Sequence, residues 1–393
     1  MTVGRPSLIL AALAADAAPG FTFRSYRRVE TNPDIDQLQL WDQDGASYQL
    51  LIPATPAGES EVAIELQALK IIEPHQEILG IDTPRLIGQS MDSDGTGALL
   101  LTLLGGETTD LAKYAPGLFS KSIGEVLARI HNLSPEIIRD AGLLEYDAAG
   151  ILRNKVAEID SIAQTGRVPA ALLSRWEAAT EDIGLFRFHP TVIHGNVSQE
   201  TVMVNSQKVK GLSGWSSLKV GDPAEDLRWL TGGALRTTLE DTILNYRAAR
   251  ESADENISQR AQLYSELELG SWLVYCIANK DEKEISQAED MIAELRDQLE
   301  SGNLRILRAS SFAGIASLGV APVPHDDASG LEENQELETQ ELTQQPDEGL
   351  AEILEADFIE DADPEGFLSV QRLSRARGPL ELFRLQSLKS RCL

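Results

Sequence analysis

The spacing of apolar residues changes along the chain, and each change marks an element. Arg5 to Ala18 is apolar and rich in small residues, with one positive charge. An export signal shares those features, but Asp16 interrupts its small-residue end, so the stretch reads as an N-terminal helix packed on the body. After Pro19-Gly20 the pattern turns to strand-like alternation, first over Phe21 to Val29. Leu38 to Ile52 predicts a hairpin with Asp44-Gly45 as its turn, and Pro53 closes the second strand. From Gly58 to Ile72 the period becomes helical, with Val62, Leu66, Leu69 and Ile72 on one face. Leu86 to Gly88 and Ala98 to Leu104 predict two more strands across the turn-rich Asp92 to Gly97, and Gly105-Gly106 ends this part.

Helical spacing dominates from there. Ser120 to Asn132 predicts one helix, and Glu158 to Gly184 a second that breaks near Gly166 and Pro169. Thr191 to Trp215 is a compact strand–loop–strand block. Pro223 to Leu230, Thr237 to Ala253, Gln259 to Ala278 and Glu284 to Ser301 complete a helix-rich second half. The outline is α+β: a small sheet-bearing lobe over 1–104, a larger mostly helical lobe over 105–308, and a remainder, 309–393, that loses this order.

Composition changes the picture mainly at that remainder. The chain of 393 residues, 42% hydrophobic, is long enough for two domains with real cores. Its formal charge of -28 is localised: Asp326 to Glu365 holds 16 Asp or Glu and no Lys or Arg, leaving -12 on everything else. From Arg372 the sign reverses, with Arg372, Arg375, Arg377, Arg384, Lys389 and Arg391 against Glu381. High charge density and few aromatics cannot offset chain-ordering entropy, so 309–393 is expected to be a disordered acidic tail with a basic end. Leu350, Ile353, Leu354 and Phe358 mark one helical island within it. This balance argues against a whole-protein nucleic-acid binder and against adsorption to an anionic membrane. No stretch approaches the ~18 apolar residues of a membrane span. Cys276, inside an apolar run, and Cys392, near the end, read as one buried and one exposed thiol in a reducing, cytoplasmic setting.

Candidate chemistry concentrates between Val192 and Leu227. Val192-Ile-His-Gly-Asn-Val-Ser-Gln-Glu-Thr-Val-Met-Val-Asn runs on through Lys210-Gly-Leu-Ser-Gly-Trp to Val220-Gly-Asp-Pro-Ala-Glu-Asp-Leu. Asp222 suits a helix cap, Pro223 is pre-set for the first helical position, and Glu225 completes a capping box. A strand ending in a His-Gly turn, a short hairpin and this cap make a loop-bearing cleft. His75, His189 and His325 lack ligand spacing, and no Cys–His cluster supports zinc. No Walker-type loop is present either, since Pro53 to Ser60 contains only Gly58.

This block resembles the aminoglycoside phosphotransferase and choline-kinase-like family, whose relatives include macrolide phosphotransferases. His194-Gly195, Trp215 and Gly221-Asp222-Pro223-Ala224-Glu225-Asp226-Leu227 fit that template in order and spacing. Weaker agreement covers about residues 8–300. Glu65 matches the N-lobe glutamate, Leu127 to His131 the helix before the catalytic loop, and Thr83 to Gly88 with Leu100 to Gly106 the hinge-side strands. The resemblance implies a protein-kinase-like two-lobe fold, with a small antiparallel-sheet N-lobe and a larger helical C-lobe. It also implies a structural His194, a capping Asp222 and a loop-anchoring Asp226.

The departures from the template bear on function. Asn196 stands where the family has its catalytic Asp, Thr201 where it has its metal-binding Asn, and Gly214 where it has a second metal ligand. Leu51 falls at the N-lobe basic position, so it supplies no charge for Glu65. Phosphoryl transfer needs positioned charge, and an amide orients a hydroxyl without accepting its proton. One lost acid–base group costs ~10²–10⁴ in rate, and groups acting as a unit fail together. The expectation is therefore a catalytically inactive pseudokinase, a scaffold or regulator without a cofactor. Its tail would recruit a basic protein partner or make an intramolecular contact through its own basic end; the bland alternative is a solubilising appendage. The alternative for the body is an active small-molecule kinase using Mg and ATP or GTP on an aminoglycoside, macrolide or metabolite hydroxyl. A third reading keeps ligand binding in the cleft without chemistry. Glu65 is expected to face water, and Lys208, Lys210 and Lys219 to be solvated loop charges.

Overall fold

The computed structural model describes residues 4–29, 32–250, 252 and 254–310. The acidic segment, its helical island, the basic end, His325 and Cys392 lie outside the described residues.

The N-terminal part is α1 (Ser7–Ala17), strands β1 (Phe23–Val29), β2 (Ile35–Asp42) and β3 (Ser47–Pro53), helices α2 (Pro56–Ile72) and α3 (Gln76–Leu79), then β4 (Leu86–Met91) and β5 (Gly97–Thr102). The five strands form one antiparallel sheet in the order β1-β2-β3-β5-β4. In β3 and β5 the runs Leu50-Leu-Ile and Ala98-Leu-Leu-Leu are unbroken because both faces of the sheet are covered there. Leu50 and Ile52 of β3 join Leu38, Leu40, Ala98 and Leu100 beneath Leu10, Leu13 and Ala14 of α1. Leu51, Leu99 and Leu101 point the other way, into the core that includes Val62, Leu69 and Ile72 of α2. The helix α2 starts where Thr55 Oγ1 accepts from the Gly58 amide at 3.2 Å, with Pro56 in the first turn.

The expected division at 104/105 falls between β5 and the short β6 (Glu107–Thr108). Then come α4 (Leu118–His131), α5 (Glu136–Asp140), α6 (Ala148–Ala163), α7 (Ala170–Glu181), β7 (Thr191–Ile193), β8 (Val202–Asn205), β9 (Lys208–Leu212) and β10 (Lys219–Gly221). A short 3₁₀ turn, Pro223–Leu227, leads to α8 (Arg228–Gly233), α9 (Arg236–Ala249), α10 (Ile257–Asn279) and α11 (Glu282–Glu300). The helix expected from Glu158 begins ten residues earlier. Asp147 caps it by accepting from the Gly150 amide at 2.6 Å, and the polar run Arg153-Asn154-Lys155 dilutes the apolar stripe that would mark its first turns. A main-chain tie joins the two parts: the Asp82 amide donates to Lys210 O at 2.7 Å, and Leu212 donates back to Asp82 O at 3.1 Å. Among the described residues no helix is long and apolar enough to cross a membrane.

Candidate active site

The site is built on the loop that follows β7. This strand is wholly buried and delivers the chain to His194 and Gly195, where it turns sharply. Gly195 has φ +76°, and a Cβ there would sit 2.4 Å from Ser217 O, so the turn requires glycine. Asp226 holds the turn from behind. Its carboxylate accepts from the His194 amide at 2.8 Å and the Gly195 amide at 2.7 Å. His131, at the end of α4, places Nε2 3.1 Å from the same carboxylate and Nδ1 2.8 Å from Tyr246 Oη. Since a carboxylate only accepts, His131 carries its proton on Nε2 and accepts from the tyrosine at Nδ1. Burial lowers the His131 pKa against the pull of Asp226, consistent with a neutral ring. Burial would raise the Asp226 pKa, but the hydrogen bonds it accepts from His131 and from the His194 amide outweigh that and hold it low. The His194 ring packs edge-on against Trp215, and its Nδ1 accepts from the Asn196 amide at 3.2 Å. Burial takes its pKa down to about 4.

Asp222 is equally committed. Its Oδ1 accepts from the Ala224 amide and from Arg260 Nη2, both at 2.9 Å, and its Oδ2 accepts from Arg260 Nε at 2.6 Å and from the Tyr264 hydroxyl. Four donors saturate the carboxylate, leaving no lone pair directed at a displaced metal. The capping expectation needs one correction. Glu225 does not close a box but pairs with Lys219 at 2.8 Å, so Lys219 is not a solvated loop charge; Lys208 and Lys210 are exposed.

A cleft opens between the sheet and this loop. Leu51, Glu65, Asn196 and Gly214 line it together, beside Gln37, Gln49 and Glu61. Glu65 is only 6% exposed and faces this cleft rather than bulk water, because α2 presents it on the same side as Val62. Thr201 lies beneath. Its hydroxyl accepts from the Ser198 amide at 2.9 Å and donates to Asn196 O at 3.1 Å, so it serves the loop's own backbone. Gly214 has φ +75°, and a Cβ on it would lie 3.2 Å from Thr201 Cγ2 and 3.5 Å from Asn196 Nδ2. The fold thus gathers Asn196, Thr201 and Gly214 at one point.

These residues do not fit a magnesium nucleotide. A triphosphate needs cations and a metal held by anionic or amide oxygens. Among the described residues lining the cleft, the charged ones are Glu61 and Glu65, and none is Lys or Arg. No group of three or more His, Cys, Asp or Glu able to hold a metal occurs among the described residues. The cavity measures 70 Å³, against ~300–1,000 Å³ for ordinary small-molecule sites.

Sequence reasoning missed Arg260, Tyr264 and Tyr246 behind the loop, and Gln37, Gln49 and Glu61 in the cleft. For Arg260 a signal existed. It shares a helical face with Ile257, Tyr264 and Leu267, and a charge inside a buried stripe calls for a buried partner. Gln37 and Gln49 carried no such mark, since they become cleft residues only through strand register.

The sequence pattern of the phosphotransferase enzyme family, APH, matches residues 18–268. The chain belongs to this family. No curated protein matches it by sequence. Among solved structures it is similar to macrolide 2′-phosphotransferase MphH from Brachybacterium faecium, at 19% identity and a TM-score of 0.61, over 72% of this chain and 97% of that one. A macrolide 2′-phosphotransferase type I gives the same identity and TM-score over 74% and 99%. The GDP complex of wild-type aminoglycoside 2′-phosphotransferase-IIIa follows at 14% and 0.61, over 76% and 100%. At such identities these phosphotransferase structures establish the two-lobe kinase-like fold and carry no substrate with it.

Proposed function

We propose that this phosphotransferase-family protein does not transfer phosphoryl groups and acts as a pseudokinase, in the role of scaffold or regulator. The observation that supports it is the convergence of Asn196, Thr201 and Gly214 at the point where the family places a base and two metal ligands. An amide, a hydroxyl engaged with its own loop, and a residue without a side chain offer neither a proton acceptor nor a cation site. The opposite wall compounds this, because Leu51 is apolar and Glu61 and Glu65 repel phosphate. The described part of the β1–β2 connection, Asn32-Pro33-Asp34, contains no glycine and one proline, so it is poorly suited to wrapping amides around phosphates. In this reading the acidic tail recruits a basic protein partner.

One feature favours the active alternative: Glu61 and Glu65 stand one helical turn apart on the cleft wall, two carboxylates that face a cation arriving with nucleotide. A thermal-shift titration with Mg and ATP or GTP separates the readings. A site filled to a hundredfold over its Kd stabilises by about 2.7 kcal/mol. The expected result is no saturable shift. A magnesium-dependent shift that disappears in Glu61→Gln with Glu65→Gln would overturn the proposal. The combined reversion Asn196→Asp, Thr201→Asn, Gly214→Asp and Leu51→Lys should create a nucleotide shift. Its Gly214→Asp component carries a left-handed backbone cost of roughly 1–2 kcal/mol.

A further inference from the structure

A second cavity lies in the helical lobe and shares no lining residue with the cleft. It measures 670 Å³, inside the roughly 300–1,000 Å³ range of small-molecule sites. Its walls come from the α8–α9 turn, α10, the end of α11 and the segment Gly302 to Ala309. Three arginines line it: Arg236, Arg305 and Arg308.

The charge there is poorly compensated from within the fold. Among the described residues Glu266 is the carboxylate on the wall, and it is fully engaged. Arg175 clamps it at 3.0 and 2.9 Å, Trp176 Nε1 donates at 2.9 Å, and Gln262 donates at 3.0 Å. Among the described residues Arg236 pairs only with the exposed Glu240, at 3.1 Å. Among the described residues Arg305 and Arg308 form no salt bridge. Burial lowers the Arg305 pKa, and the neighbouring Arg236 and Arg247 add to that against Glu240. The segment carrying these two arginines is fixed in place. Arg175 Nη2 donates to Arg305 O at 2.6 Å, the Ala309 amide to Asp182 at 2.8 Å, and the Ser310 amide to Asn256 at 2.9 Å. Guanidinium groups beside a roomy cavity, two of them without a salt-bridge partner among the described residues, match the planar oxygens of carboxylates and phosphates.

We propose that this cavity binds a small polyanion, a molecule bearing two or more carboxylate or phosphate groups, through Arg305 and Arg308. The site is separate from the cleft, so the proposal stands or falls independently of nucleotide binding. The test is isothermal titration of the full chain, without metal, using citrate and inorganic pyrophosphate as probes and spermidine as the cationic control. Saturable binding of at least one anion is expected, with no spermidine binding. Preference for citrate would assign carboxylate recognition, and preference for pyrophosphate would assign phosphate. Each of Arg305→Gln and Arg308→Gln should weaken binding roughly 10–100-fold, the worth of one charge-assisted hydrogen bond. Arg139→Gln, which alters a surface pair with Glu145, should leave it unchanged. Arg308 is exposed, so that variant keeps the fold and carries the test even if Arg305→Gln unfolds. Absence of saturable binding by both anions, or binding that both cavity variants leave intact, would overturn the proposal.

Discussion

Replacing Arg260 with methionine tests the frame that holds the catalytic-loop region. The side chains of Arg260 and Asp222 are both fully buried. The guanidinium donates to Asp222 at 2.6 and 2.9 Å and to Leu185 O at 3.0 Å, and also reaches Asp254. Methionine keeps much of the length and none of the charge. Asp222 is then left buried with only the Ala224 amide and the Tyr264 hydroxyl. Breaking one side of a buried pair costs about 3–5 kcal/mol, a large share of the ~5–15 kcal/mol that holds an ordinary domain folded. Removing the orphaned charge as well, with Arg260→Met and Asp222→Asn together, should recover part of that loss. The double variant should therefore cost less than the sum of the two single changes by roughly 0.5–3 kcal/mol. Urea unfolding followed by tryptophan fluorescence reads these differences, provided the slopes with denaturant agree. A single-variant cost below about 1 kcal/mol, or strict additivity in the double variant, would refute the claim that this pair is a coupled, desolvated unit.

Two further outcomes follow from the buried groups. His194 is neutral in the fold, with its pKa lowered to about 4, while the unfolded chain protonates it near ~6.5. As pH falls through that window the unfolded state gains a proton that the native state refuses, so stability should drop by roughly 3 kcal/mol from this residue, with His131 acting in the same direction. A urea midpoint that stays flat from neutral pH to about pH 4.5 would contradict this. Burial pushes the Cys276 thiol up to about 11, so iodoacetamide should leave it unmodified in the native protein and label it in urea, as read by peptide mass spectrometry. Rapid native labelling would mean that α10 is not packed as described.

The sheet, its hairpin and most helices were legible because period-two and helical stripes report burial directly. The helical start at Pro223 was also legible, since Asp222 and Pro223 are local signals, although its first five residues form a 3₁₀ turn and the α-helix begins only at Arg228. The start of α6 was not, because the first turns after Asp147 bury little beyond Ile151 and leave only a weak stripe. In the site, motif order placed Asn196, Gly214, Leu51 and Glu65, and the fold brings all four to one cleft. What the sequence could not supply was the partner of each buried charge. Arg260 lies 38 residues from Asp222, and His131 lies 95 from Asp226, so those pairings exist only once the helices pack. Glu225 illustrates a different failure: a local capping rule named its role, and Lys219 on the preceding strand β10 took it instead.

Asp226 grips two main-chain amides from the rear of the His194 turn, and His131 steadies it from a different helix. The path of that turn is consequently set by groups that never face the opening. Side chains on its front can be exchanged one letter at a time while the ribbon keeps its course. Such a construction divorces form from reactivity: a polypeptide can shed its chemistry and still display, unaltered in outline, a contour that another molecule reads.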